Sequence, residues 1–132
     1  MKFTTLDKQV SISDQISSSD IADLIEEGIE IVVCNRPDRE VAEQPRFADI
    51  ARVCENNGME SHHIPFVGDQ IEDLHVESFT DLLQSGKRVH AFCRSGARSS
   101  KLWARSRSKQ GMEPEELKER AGQAGYDVSQ HV

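Results

Sequence analysis

No stretch of this sequence approaches the roughly 18 consecutive apolar residues that a membrane span requires, and apolar residues make up only 36% of the chain. No contact with a membrane is therefore expected. Met1–Val10 lacks a basic run followed by an apolar segment, so no secretory leader is legible and a cytoplasmic location is expected. Cysteine is scarce: Cys34, Cys54 and Cys93 form neither an even set nor a Cys-x-x-Cys pair. That argues against a disulfide framework and a zinc site, and it leaves at least one thiol free to react. The five histidines, His62, His63, His75, His90 and His131, show no ligand spacing. Adjacent His62 and His63 point to opposite faces of a strand and cannot chelate one ion together, so no metal or organic cofactor is expected.

What is present is charge, at 30% of residues, with a formal net of −7. Against that acidic background Arg94, Arg98, Lys101, Arg105, Arg107 and Lys109 follow Cys93 with no acidic residue before Met112. Two readings stand side by side: a solvated helix face, or an electropositive mouth that draws in small anions. Nucleic acid is not expected as a partner, because the overall balance is acidic and only Trp103 interleaves with the cations.

At 132 residues the chain suits one domain, residues 1–132, with a single core. Helical and strand patterns alternate throughout, which favours an α/β domain with a parallel sheet flanked by helices. Strands are expected over Val10–Ser13, Ile29–Cys34, Met59–Ile64 and Arg88–Phe92. Helices are expected after Ser17–Ser19, with Ile21, Leu24 and Ile25 as its apolar stripe, and over about Pro45–Asn57, with Cys54 in the core. Two more are expected over about Glu72–Gln84, with Leu74, Phe79, Leu82 and Leu83 inward, and from Cys93–Arg98 through Trp103. A last helix runs from Pro114 to about Ala124.

The chemistry lies in Val89–Ser100. A cysteine between a strand and a helix N-terminus meets the helix dipole and unpaired N–H groups, a setting that favours thiolate over thiol. Gly96 permits the turn that lets N–H groups converge into an anion nest. Arg98 can give an oxyanion two parallel hydrogen bonds, and Arg94 adds positive potential. Cys93 and Arg98 are thus the catalytic candidates, with Arg94, Ser95, Gly96, Ala97 and Ser99 as the anion-binding loop. Ser99 can cap the helix or reach the sulfur.

The run Cys93-Arg94-Ser95-Gly96-Ala97-Arg98-Ser99 resembles the rhodanese active-site loop, while the order of elements resembles the protein-tyrosine and dual-specificity phosphatase fold. Both occur together in the phosphatase-like domain family of beta-lactamase-hydrolase-like proteins, small bacterial proteins often described as candidate sulfurtransferases. Further matches are Val10-Ser11 with Gln15-Ile16, Asn35-Arg36-Pro37-Asp38, His63-Ile64-Pro65 with Gly68 and Gln70-Ile71, and Ala124-Gly125-Tyr126-Asp127.

Cysteine phosphatases show His-Cys-x5-Arg, whereas here Phe92 precedes the cysteine and only four residues separate it from Arg98. By resemblance the shorter loop implies sulfur transfer. The expectation is therefore a sulfurtransferase that carries a sulfane sulfur as a Cys93 persulfide, from a small sulfur-containing anion or persulfide donor to a thiol acceptor. The first alternative is a phosphatase with a Cys93 phosphoenzyme intermediate. The second is an anion-binding or redox-sensing module without turnover.

Three side candidates remain. Asp69 serves either as a general acid, one position later than phosphatase spacing from Pro65 implies, or as a turn residue. Cys34, at the end of its strand, is either core or a resolving thiol. Arg36 either lines the anion pocket or fixes its own loop through Asp38. The oligomeric state is left open by the sequence.

Overall fold

The structure, a computed structural model, describes residues 1–132. Its centre is a five-stranded sheet in the order β1-β2-β5-β3-β4, with β1 at Thr4–Thr5, β2 at Val10–Ser13, β3 at Ile31–Cys34, β4 at Glu60–His63 and β5 at Val89–Phe92. β2, β5, β3 and β4 run parallel, and only β1 is antiparallel to its neighbour. β1 is too short to carry a periodic signal, and the sequence did not reveal it.

The β-branched run of β3 explains its central place. Ile31 and Val33 face one layer while Val32 and Cys34 face the other, as the two-residue period of a strand requires. The first layer is closed by α3 (Asp73–Gln84), α4 (Ala97–Lys109) and α5 (Pro114–Gln123), through Phe79, Leu83, Leu102, Trp103 and Leu117. The second is closed by α1 (Ile21–Glu26) and α2 (Phe47–Asn56), through Ile21, Leu24, Ile50 and Cys54.

Two expected core positions are corrected. Leu74 is 67% exposed and Ile25 is 40% exposed. α3 begins at Asp73 and buries Phe79, Thr80 and Leu83, which leaves Leu74 about 140° around the helix from Phe79 at 100° per residue. Thr80 takes a place in the buried face instead. α1 is only six residues long, and Ile25 falls beside its buried pair Ile21 and Leu24.

β2 carries Val10 and Ile12 into the first layer, while Ser11 and Ser13 flank the buried His90 of β5. The ring nitrogens of His90 lie 2.8 Å from each serine hydroxyl, and Phe3 packs edge-on against the imidazole. Burial pushes the His90 pKa down to about 3, so the imidazole is neutral and both serines satisfy it. No helix is long and apolar enough to cross a membrane.

Candidate active site

The carboxyl ends of β2, β3, β4 and β5 form one edge of the sheet, the usual place for a functional crevice in an open α/β fold. The chain leaves β5 directly into Cys93, which is fully buried beneath its own loop. Gly96 ends that loop as the N-cap of α4 with φ +92°, the left-handed region that glycine enters without steric cost. Its N–H donates to Cys93 Sγ at 3.1 Å. Ala97 N–H turns back to Ser95 Oγ at 3.3 Å, and α4 opens at Ala97, so Arg98 already stands in the first helical turn. Arg94 and Ser95 are exposed on the outer side of the loop.

Arg98 is not free. Its Nη1 donates to Glu40 Oε2 and its Nη2 to Glu40 Oε1, both at 2.8 Å, and Nη1 also reaches the Phe66 carbonyl at 3.1 Å. The bidentate pair fixes the guanidinium plane and leaves Nε–H and the second Nη2 hydrogen as donors not engaged by Glu40 or Phe66. The Arg98 hydrogen bonds hold the Glu40 carboxyl below its ordinary range, and Glu40 in turn raises the Arg98 pKa, with Cys93 adding in the same direction.

Arg36 meets Glu40 from the other side. Its Nε donates to Glu40 Oε1 at 2.9 Å and its Nη1 to Gln15 Oε1 at 3.0 Å, with the side chain 5% exposed. Neither expected role of Arg36 is what the geometry shows: it holds Glu40, while Asp38 accepts the N–H of Phe47 at 2.9 Å at the start of α2. Ser99 Oγ donates to Asn35 Oδ1 at 2.8 Å rather than to the sulfur, and Asn35 Nδ2 donates to the Ile64 carbonyl at 3.0 Å. Asn35 thereby ties the ends of β3 and β4 to the loop helix.

Burial pushes the Cys34 thiol up to about 12 and the Cys54 thiol up to about 11. Cys34 donates to the Arg36 carbonyl at 3.3 Å. Asp69 is exposed and paired with Lys101 at 2.5 Å, which holds its carboxyl below the usual range.

The basic run after Cys93 is dispersed into separate contacts. Lys101 takes Asp69, Arg105 donates to His131 Nδ1 at 2.9 Å, and Arg107 pairs with Asp7 at 2.9 Å. Lys101, Arg105 and Lys109 are spaced i, i+4, i+8 along one face of α4, and Arg107 lies on the opposite side.

The fold that carries this site has counterparts among known proteins. The model of the beta-lactamase hydrolase-like protein, phosphatase-like domain, matches residues 2–110. The chain belongs to this family. A candidate phosphatase from Neisseria meningitidis is 36% identical, with a TM-score of 0.84 over 98% of this chain and 93% of that one. PTPMT1 shares the fold at 15% identity and a TM-score of 0.77, over 98% of this chain and 88% of that one. TpbA from P. aeruginosa, solved with phosphotyrosine, shares it at 18% identity and a TM-score of 0.65, over 89% of this chain and 70% of that one. No curated protein matches the chain in sequence.

For a member of the phosphatase-like family the sulfurtransferase expectation is corrected. It rested on the count of residues between Cys93 and Arg98, and both the family match and the Neisseria relative point to phosphatases instead. The physical reason is that the guanidinium is aimed by Glu40 from another loop, so its placing depends on a tertiary contact and cannot be read from the count of loop residues alone.

Glu40, Asn35 and Tyr126 were not singled out as site residues by sequence. Asn35 sits in a motif that the resemblance marked, but its role emerges only through Ser99. Glu40 carried no local signal, being one of 23 acidic residues.

Proposed function

We propose that this protein is a cysteine-dependent phosphatase acting on phosphomonoesters with acidic leaving groups, aryl phosphates above all. The observation that carries the reading is the N–H that Gly96 donates to Cys93 Sγ, in a loop whose Arg98 is clamped by Glu40, within a phosphatase-like family. Cys93 thiolate attacks phosphorus, the S–P bond forms, and the ester P–O bond breaks to release aryloxide. Loop amides and Arg98 Nε–H stabilise the charge that gathers on the equatorial oxygens. Water then attacks the phosphocysteine, phosphate leaves, and the Cys93 thiolate is restored.

The leaving-group preference follows from Asp69. Lys101 holds its carboxyl below the usual range, which suits it poorly as a proton donor to the leaving group. Phenols leave without a proton more readily than alcohols, and the phosphotyrosine bound to TpbA is of that class. Three free thiols fit a reducing compartment, so a cytoplasmic setting is part of the proposal.

The test is hydrolysis of a series of aryl phosphates of graded phenol acidity, with acid quench and intact mass. Wild-type protein should turn them over and show a phosphoryl group on Cys93, and Cys93→Ser should do neither. Turnover that survives Cys93→Ser would sink the proposal.

A further inference from the structure

The strongest unassigned feature lies at the far end of the chain, beyond residue 110 where the family match stops. α5 ends in a Schellman motif: Tyr126 N–H returns to the Ala121 carbonyl at 2.8 Å and Gly125 N–H to the Gly122 carbonyl at 3.0 Å, with Gly125 at φ +92°. The turn directs Tyr126 back toward the Cys93 loop, and the buried Val128 anchors the segment behind it. The phenol then donates to the Ser95 carbonyl at 2.9 Å.

The Ser95 carbonyl and the Gly96 N–H belong to the same peptide group. In a trans peptide these two groups point in opposite directions, and the chain has no cis peptide bonds. Tyr126 therefore grips the outer end of the one peptide plane whose inner end donates to Cys93 Sγ. Rotation of that plane would break both hydrogen bonds at once. The fit is close: a Cβ at position 96 would lie 2.3 Å from the Tyr126 oxygen and 2.9 Å from Cζ. Gly96 is thus required twice, for its left-handed φ and for the space the phenol occupies.

We infer that Tyr126 is a positioning residue for the active-site loop, a latch that holds the Ser95–Gly96 peptide with its N–H on the nucleophile. Its hydroxyl acts through the peptide to which it donates. The two hydrogen bonds also polarise one another, so the phenol strengthens the donor that Cys93 receives. The residue deepens the phosphatase reading, since the same N–H that faces the thiolate faces the phosphoryl oxygens during transfer.

The experiment compares wild type with Tyr126→Phe, which keeps the ring and removes one oxygen. Cys93 alkylation by iodoacetamide at pH 7 is followed by peptide mapping, below the melting temperature of both proteins. The rate should fall about 2- to 12-fold, the factor one ordinary hydrogen bond contributes, and the Gly96 amide proton resonance should move upfield. Asp127→Asn, which alters a neighbouring contact to Ser129, should leave both readouts unchanged. A merely structural role would lower the melting temperature without moving either. An unaltered alkylation rate together with an unmoved Gly96 resonance in Tyr126→Phe overturns the latch. Neither readout requires turnover, so failure of the phosphatase reading alone would show as absent hydrolysis with the latch effect intact.

Discussion

Replacing Arg98 by lysine separates charge from geometry at the centre of the site. The arginine makes three hydrogen bonds with two of its nitrogens, two to Glu40 at 2.8 Å and one to the Phe66 carbonyl at 3.1 Å. A lysine ammonium keeps the charge and one ion pair with Glu40, but it has no planar fork and no third nitrogen to turn toward a phosphoryl oxygen. The side chain is only 13% exposed and Glu40 25%, so solvent screens the pair weakly. Losing one charge-assisted hydrogen bond in the transition state removes about 1.5–3 kcal/mol. That corresponds to a fall of about 10- to 150-fold in kcat/KM. Stability should change by only about 1 kcal/mol, because an ion pair survives. Steady-state kinetics on an aryl phosphate, with thermal denaturation as the fold control, gives both numbers. A folded Arg98→Lys protein within twofold of wild-type kcat/KM would refute the assignment of Arg98 Nε–H to the anion.

Two further outcomes follow from burial. Alkylation at neutral pH should label Cys93 ahead of Cys34 and Cys54, whose thiols are pushed up to about 12 and about 11 by burial, and dominant labelling of either would contradict the site. The His90 pKa falls from 6.5 to about 3 on folding, so the unfolded chain takes up a proton that the folded one refuses. Its contribution to stability is full above pH 6.5 and is lost as pH falls toward 3, at a slope on the order of 1.4 kcal/mol per pH unit. Urea denaturation between pH 7 and 5 should show that slope and His90→Gln should reduce it; equal slopes would place His90 in contact with water.

The sequence by itself determined the four parallel strands, the helices and the placing of Cys93. The β-branched run at Ile31–Val33, the glycine inside the loop and the proline opening α5 are local signals, each acting within a few residues. The exceptions were Leu74, which the 100° step sets about 140° away from Phe79, and Ile25, which lies one residue from the end of the six-residue α1. What Arg98 does was decided by tertiary structure alone. Glu40 reaches it across 58 positions, Asn35 holds Ser99 across 64, and Tyr126 grips Ser95 across 31. Each pairing exists because parallel strands deliver their carboxyl ends to one edge of the sheet, and a hydrogen bond between distant segments leaves no spacing to read along the chain. The count of four residues between Cys93 and Arg98 was legible in the sequence. The carboxylate that aims the arginine became visible only once the fold had brought Glu40 beside it.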